Sequence, residues 1–188
     1  MDKEKIEKHI KEILILIGED TNREGLRGTP ERVARMYAEV FRGYDEKQKP
    51  KVTTFQNGAD GLKIDEMIID KGDLYSHCEH HMCMISARYF FAYIPNDVVL
   101  GLSKVARIVD YYSAKLQIQE RLVKEIVDEL QKICKPKGIA LVVVGEHFCK
   151  TMRGVKKKGE MITSDLRGAF KENDATRAEF MKFVNGGN

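Results

Sequence analysis

A long helical tract set between β-rich runs limits this chain to few architectures. From Ser103 to about Lys135, Val105, Ile108, Val109 and Tyr112 recur on one face, and Leu122, Ile126, Leu130 and Ile133 continue the stripe. The stripe changes phase between Leu116 and Gln119, which predicts a bend or break there, and Pro136 and Gly138 end the tract. An apolar stripe of this length needs a broad surface to cover it, and the flanking segments supply one. Upstream, Met67-Ile68-Ile69 and Arg88-Tyr-Phe-Phe-Ala-Tyr-Ile94 read as antiparallel strands, the second stopped by Pro95-Asn96-Asp97. Downstream, Ile139 to Val144 reads as a buried strand, and Met161 to Ser164 with Leu166 to Phe170 as another.

Before this block, Ile6, Ile10, Ile13, Leu14 and Ile17 recur at helical spacing up to Gly18. A second helix is expected from Thr29 as N-cap with Pro30 at the first helical position, burying Val33, Met36, Tyr37, Val40 and Phe41 and closed by Gly43. Thr176 to Val184 reads as a last helix. The expected organisation is an N-terminal helical segment over 1–46, a polar connector over 47–61 and a main domain over 62–188. Two helices, strands, a long helical pair and more strands make an α+β chain, with helices on one face of an antiparallel sheet.

Charge narrows the function. The net formal charge of +3 is too small for wholesale nucleic-acid binding, so any anion site must come from local clustering. The opening MDKEKIEKHIKEILILIGED carries charges every few residues, unlike an export signal or a membrane span, and a cytoplasmic protein is expected. In a reducing compartment, Cys78, Cys83, Cys134 and Cys149 read as thiols rather than as disulfides.

Of the 5 histidines, His77, His80, His81 and His147 each lie within four residues of a cysteine. Cys78-Glu-His-His81 offers a thiolate and an imidazole close enough for one ion, and His147-Phe-Cys149 offers a second pair from a distant segment. Zinc prefers this mixture of sulfur and imidazole nitrogen. Alone, C-x-x-H is as well explained by a buried thiol and a surface histidine. If His147-Phe-Cys149 lies on a strand, both side chains share a face and reach one site. Of His80 and His81, one is expected on the metal and the other on protons. Cys134 and the Met82-Cys83-Met84 run read as packing.

A basic set follows. Lys104 and Arg107 share a helix face after Ser103, and Arg153 follows the second Cys/His pair; phosphate binding at a helix N-terminus and a solvated basic face both fit. Glu120, at the expected break, has the geometry to accept from a guanine N1–H and amino group, although a lone helical glutamate is more often a surface charge.

Together these segments resemble the GTP cyclohydrolase I family from about Gly25 to Phe183. The matching stretches are Gly25-Leu26 with Thr29-Pro30-Glu-Arg32, Cys78-Glu-His-His81, Tyr93-Ile-Pro95, Gly101-Leu-Ser-Lys104 with Ala106-Arg-Ile-Val109, and Leu116-Gln-Ile-Gln-Glu-Arg-Leu122. Glu146-His-Phe-Cys149, Met152-Arg-Gly154, Thr163-Ser164 and Thr176-Arg with Glu179-Phe180 complete them. The resemblance implies a tunnelling fold, with two long helices on one face of an antiparallel sheet and a helical pair before it. It also implies a homo-oligomer, a decamer of two pentamers with sites between subunits, and neither nucleic acid nor membrane as partner. The implied reaction converts GTP and water to formate and 7,8-dihydroneopterin triphosphate, opening the imidazole ring at C8, a first step of pterin, folate or deazapurine synthesis. Cys78, His81 and Cys149 are implied as Zn2+ ligands, His147 as the N7 proton donor and His80 as its proton-handling partner. Glu120 is implied as the guanine anchor, with Gln119 beside it and Ser103 near ribose or phosphates. Lys104, Arg107, Arg153 and a neighbour's Arg32 form the implied triphosphate clamp.

The chain departs from the family pattern at Met82 to Ile85, at Ala114-Lys115 and at Lys150, none of them a matched catalytic position. Two other readings compete. A 7-cyano-7-deazaguanine reductase shares the glutamate anchor but uses NADPH and no zinc, so zinc content without NADPH oxidation excludes it. A binding module with structural zinc would normally close the metal with four protein ligands.

Overall fold

The computed structural model describes residues 1–186. The helices are α1 (Lys3–Leu16), α2 (Glu24–Arg27), α3 (Thr29–Val40), α4 (Leu102–Ser113), α5 (Gln119–Cys134), α6 (Phe148–Thr151), α7 (Ala169–Glu172) and α8 (Asp174–Asn185). The strands are β1 (Thr54–Gln56), β2 (Ile68–Cys78), β3 (Met84–Ile94), β4 (Val98–Leu100), β5 (Leu116–Gln117), β6 (Gly138–His147) and β7 (Glu160–Gly168). Short 3-10 turns at Arg42–Tyr44 and Glu46–Gln48 lead out of α3.

A 5-stranded sheet in the order β5-β2-β3-β6-β7 forms the frame, α+β in class. It is antiparallel except where β5 lies parallel to β2, pairing His77 with Leu116 and Cys78 with Gln117. The apolar run of β3 takes the centre, between β2 and β6, where Phe91 and Ala92 are fully buried. Side-chain alternation divides the core between the two faces. Leu74, Ile85, Ala87, Tyr89 and Phe91 meet Val105, Ile108, Val109, Leu122, Ile126 and Leu130 of α4 and α5. Phe90, Ala92, Ala140 and Val142 meet Phe170 of α7 and Phe180 of α8. Each such side chain, wholly removed from water, contributes about 2 kcal/mol before entropy is counted.

The tract from 103 to 135 does break: α4 ends at Ser113, β5 adds a short strand, and α5 restarts at Gln119. Lys135 in the left-handed region caps α5, its N–H donating to Gln131 O. Several local expectations need correction. Gly28, not Thr29, is the N-cap of α3; the Thr29 hydroxyl bonds Gly25 O and Arg32 instead. Met36 is 45% exposed rather than buried. Met82 and Met84 are also exposed and Cys83 half-buried, so that run is not core packing. The connector carries β1, paired with β4. Strand β2 extends from Ile68 through polar Asp70-Lys-Gly-Asp73 to Cys78, far beyond its apolar start, because each residue from Ile68 to His77 pairs with β3. No helix among the described residues is long and apolar enough to cross a membrane.

Candidate metal centre and active site

The site grows from the strand ends at one edge of the sheet. The Cys78 N–H donates to Cys83 O and the Met82 N–H to Cys78 O, both at 2.8 Å, closing the turn between β2 and β3 that carries His80 and His81. Across β3, Ile85 pairs with His147, the last residue of β6. The chain then leaves the sheet and winds into α6, so Cys149 lies on a helical turn. The expectation that His147 and Cys149 share a strand face is therefore wrong: strand alternation stops at His147.

Helical winding nonetheless brings Cys149 to the turn. One ligand atom each from Cys78, His81 and Cys149 lies within 4.8 Å of the others. The edges of a tetrahedron built from Zn–S bonds of about 2.3 Å and Zn–N bonds of about 2.0 Å, about 3.5 to 3.8 Å, fall inside that limit, so the three side chains are placed to share one ion. Burial pushes the Cys149 thiol up, and its bond to Cys78 and the nearby Cys78 and Cys83 push it further. A bound cation reverses that tendency by demanding thiolate. His80 Nδ1 lies 3.6 Å from Cys78 Sγ, and the Arg153 Nη1 donates to His81 Nε2 at 2.9 Å.

His147, at the end of β6, is half-buried. Burial lowers its pKa, opposed by the negative charge of Glu120 and reinforced by Lys150. Its Nε2 lies 2.9 Å from Gln119 Oε1. Gln119 is 1% exposed and its amide is held by protein groups at both ends, so it is not placed as an open substrate contact. Glu120, the next residue, faces solvent in the first turn of α5.

Two residues that motif reading passed over hold the turn. Glu79 receives a charged hydrogen bond from Arg121 Nη2, while Arg121 Nε donates to Gln117 Oε1 at 3.0 Å and the Glu79 N–H to Gln117 O at 3.0 Å. The Cys78–His81 turn is thus strapped to the start of α5. Their spacing in sequence carries no sign of this, since Glu79 and Arg121 belong to different motifs.

The rest of the expected set does not assemble in one chain. Leu100 donates its N–H to the Tyr93 hydroxyl, and Tyr93 pairs with Ile68 at the start of β2, so the N-terminus of α4 lies at that end of the sheet. Cys78 is ten residues further along β2, roughly 33 Å at the usual strand rise. Helix α4 then runs back along the sheet until Ser76 Oγ donates to Ser113 O at 2.8 Å, so Ser103 begins roughly 15 Å and Arg107 roughly 9 Å of helix short of the Cys78 end. Arg32 is exposed and donates within its own segment, to Gly25 O and Thr29 Oγ1 at 3.0 Å each.

The profile of one family, described as GTP cyclohydrolase I, matches residues 6–185. The chain belongs to the GTP cyclohydrolase I family. GTP cyclohydrolase 1 of Caldanaerobacter subterraneus subsp. tengcongensis is 48% identical over 188 residues, covering 98% of each chain. The Clostridium perfringens protein of the same name is 44% identical over 186 residues, with 98% of each covered, and that of Thermobifida fusca is 44% identical over 99% of this chain and 90% of its own. Among solved structures, the apo archaeosine synthase QueF-Like aligns with 53% of this chain and 92% of its own at a TM-score of 0.41 and 17% identity. Among the described residues of this family member, Cys78, His81 and Cys149 form a group able to hold a metal ion.

Proposed function

We propose that this chain is a zinc-dependent GTP cyclohydrolase, converting GTP and water to formate and 7,8-dihydroneopterin triphosphate at the head of a pterin, folate or deazapurine route. The observation that carries the reading is the Cys78, His81 and Cys149 group in a chain of this family. Sulfur and imidazole donors suit zinc, and three protein ligands leave a coordination position for solvent. When bound, zinc supplies Lewis-acid activation of water near neutral pH.

The chain's own residues do the remainder. The Glu120 carboxylate accepts from guanine N1–H and the exocyclic amino group, fixing the base. His147 delivers a proton to N7, which makes C8 more electrophilic; because burial holds its pKa down, a proton taken up is readily passed on. His80, exposed beside Cys78, exchanges that proton with solvent. Arg153 and His81 share a hydrogen bond, so one end of the triphosphate clamp adjoins the metal group.

Ser103, Lys104 and Arg107, set along α4 away from the Cys/His turn, are assigned to a site shared with a second copy, in a homo-oligomer with sites between subunits, a decamer of two pentamers built on the tunnelling fold. We assign the N-terminal helical segment to 1–46, the connector to 47–61 and the catalytic domain to 62–188, whose last two residues lie outside those described. Four free cysteines accord with a reducing, cytoplasmic location.

The test is purified protein incubated with GTP, read by formate release and product absorbance. His147→Ala and His80→Ala should keep zinc and lose turnover, whereas Cys149→Ala should lose both. Full zinc content and normal formate release in Cys149→Ala would overturn the ligand assignment. Glu120→Gln should weaken GTP binding.

A further inference from the structure

The ring of His147 is governed by one buried amide. Gln119 Nε2 lies 3.0 Å from Val143 O, 2.9 Å from Met161 O and 3.0 Å from Thr163 Oγ1. Backbone carbonyls only accept, so the amide has one workable orientation: flipped, its oxygen would face two carbonyl oxygens inside the protein. Oε1 is thereby aimed at His147 Nε2, 2.9 Å away. An amide oxygen cannot donate, which leaves the Nε2 of a neutral imidazole as the protonated nitrogen and Nδ1 as the bare lone pair.

The sheet is shaped around this contact. Val143 pairs with Thr163 and Gly145 with Met161, so the groups that anchor Nε2 come from one patch of the β6–β7 ladder. A Cβ at Gly145 would lie 2.5 Å from Gln119 Oε1 and 3.2 Å from Ala87 Cβ. Any side chain there displaces the oxygen that meets His147. The Nε2–H to Oε1 bond also survives protonation of the ring, because Nε2 donates in both the neutral and the cationic form.

We propose that Gln119 is a positioning residue that locks His147 in the Nε2–H tautomer and leaves Nδ1 as its bare accepting nitrogen, in place of a contact with the substrate. The kinetic consequence rests on the cyclohydrolase reading above; the tautomer does not.

The experiment uses zinc-loaded, 15N-histidine-labelled protein, with the His147 signals identified by their loss in His147→Asn. Long-range 1H–15N correlation spectra should show a protonated Nε2 and a bare Nδ1 at His147. In Gln119→Met and in Gly145→Ala the spectrum should become that of mixed tautomers. Steady-state formate release by Gln119→Met should fall in kcat at least about tenfold, with zinc retained and KM for GTP within about twofold of the parent. Gly145→Ala keeps the glutamine but displaces its Oε1, and reads out the same loss if Gln119→Met does not fold. A protonated Nδ1 in the parent protein overturns the proposal. So does a Gln119→Met enzyme whose KM rises tenfold at unchanged kcat, the signature of a direct substrate contact. If the parent releases no formate from GTP, the cyclohydrolase reading fails while the spectra still decide the tautomer.

Discussion

Removing Arg121 should loosen the metal turn more than it weakens the fold. Its guanidinium meets Glu79, inside the Cys78–His81 turn, but the two side chains are 41% and 34% exposed. Screening at that exposure limits the ion pair to about 0.5 kcal/mol. The same guanidinium donates to Gln117 Oε1, and Gln117 is 1% exposed, so Arg121→Ala also strands a buried acceptor at about 1 kcal/mol. Together the loss is about 1.5 kcal/mol, or about 5 °C in melting temperature for a chain of this size. Because the strap orients the segment carrying His81, zinc affinity should fall about tenfold as well. Urea unfolding of metal-free protein measures the first effect, and competition against a chromophoric chelator the second. Destabilisation with zinc affinity within twofold of the parent would show that the turn holds its own shape and refute the strap.

Gly43 should be intolerant of a side chain: a Cβ there would lie 2.3 Å from Tyr111 O and 2.7 Å from Ala114 O, backbone atoms at the end of α4. Gly43→Ala should cost about 2 kcal/mol, read as a lower urea midpoint, and an unchanged midpoint would mean the N-terminal segment does not dock as described. Lys104→Ala and Cys149→Ala should each be inactive alone, yet co-expressed in equal amounts should recover about a quarter of parent activity if each site draws on two copies; no recovery would place both residues in one subunit's site. Zinc affinity should fall on acidification, because Cys78 and Cys149 must shed their protons to bind and burial already raises the Cys149 thiol. Below the thiol pKa the loss should approach about a hundredfold per pH unit, and a flat profile from about pH 8 to about pH 6 would exclude thiolate ligation.

What could be read from sequence was whatever a local period or a short motif encodes. The break at Leu116 to Gln119 was legible because the apolar stripe shifted phase there. The extent of β2 was not, since Asp70 to Asp73 are held by backbone pairing with Phe91 to Arg88 of β3, which leaves no apolar alternation in the sequence. Cys78 and His81 announced a ligand pair through spacing. The path to Cys149 was misread, because nothing local marks His147 as the last strand residue before a helical turn. Gln119 looked like a polar neighbour of Glu120; its buried amide becomes visible only when Val143, Met161 and Thr163 supply the acceptors. Lys104 and Arg107 read as neighbours of the site, while α4 starts from the opposite end of the sheet, a separation no one-dimensional pattern records.

X-ray absorption at the zinc edge of the loaded protein tests the metal centre most directly. With Cys78, His81 and Cys149 as the ligands, the spectrum should contain two sulfurs at about 2.3 Å and one imidazole nitrogen with one solvent oxygen at about 2.0 Å, at one zinc per chain. A shell without sulfur, or one closed by three or four sulfurs, would contradict it.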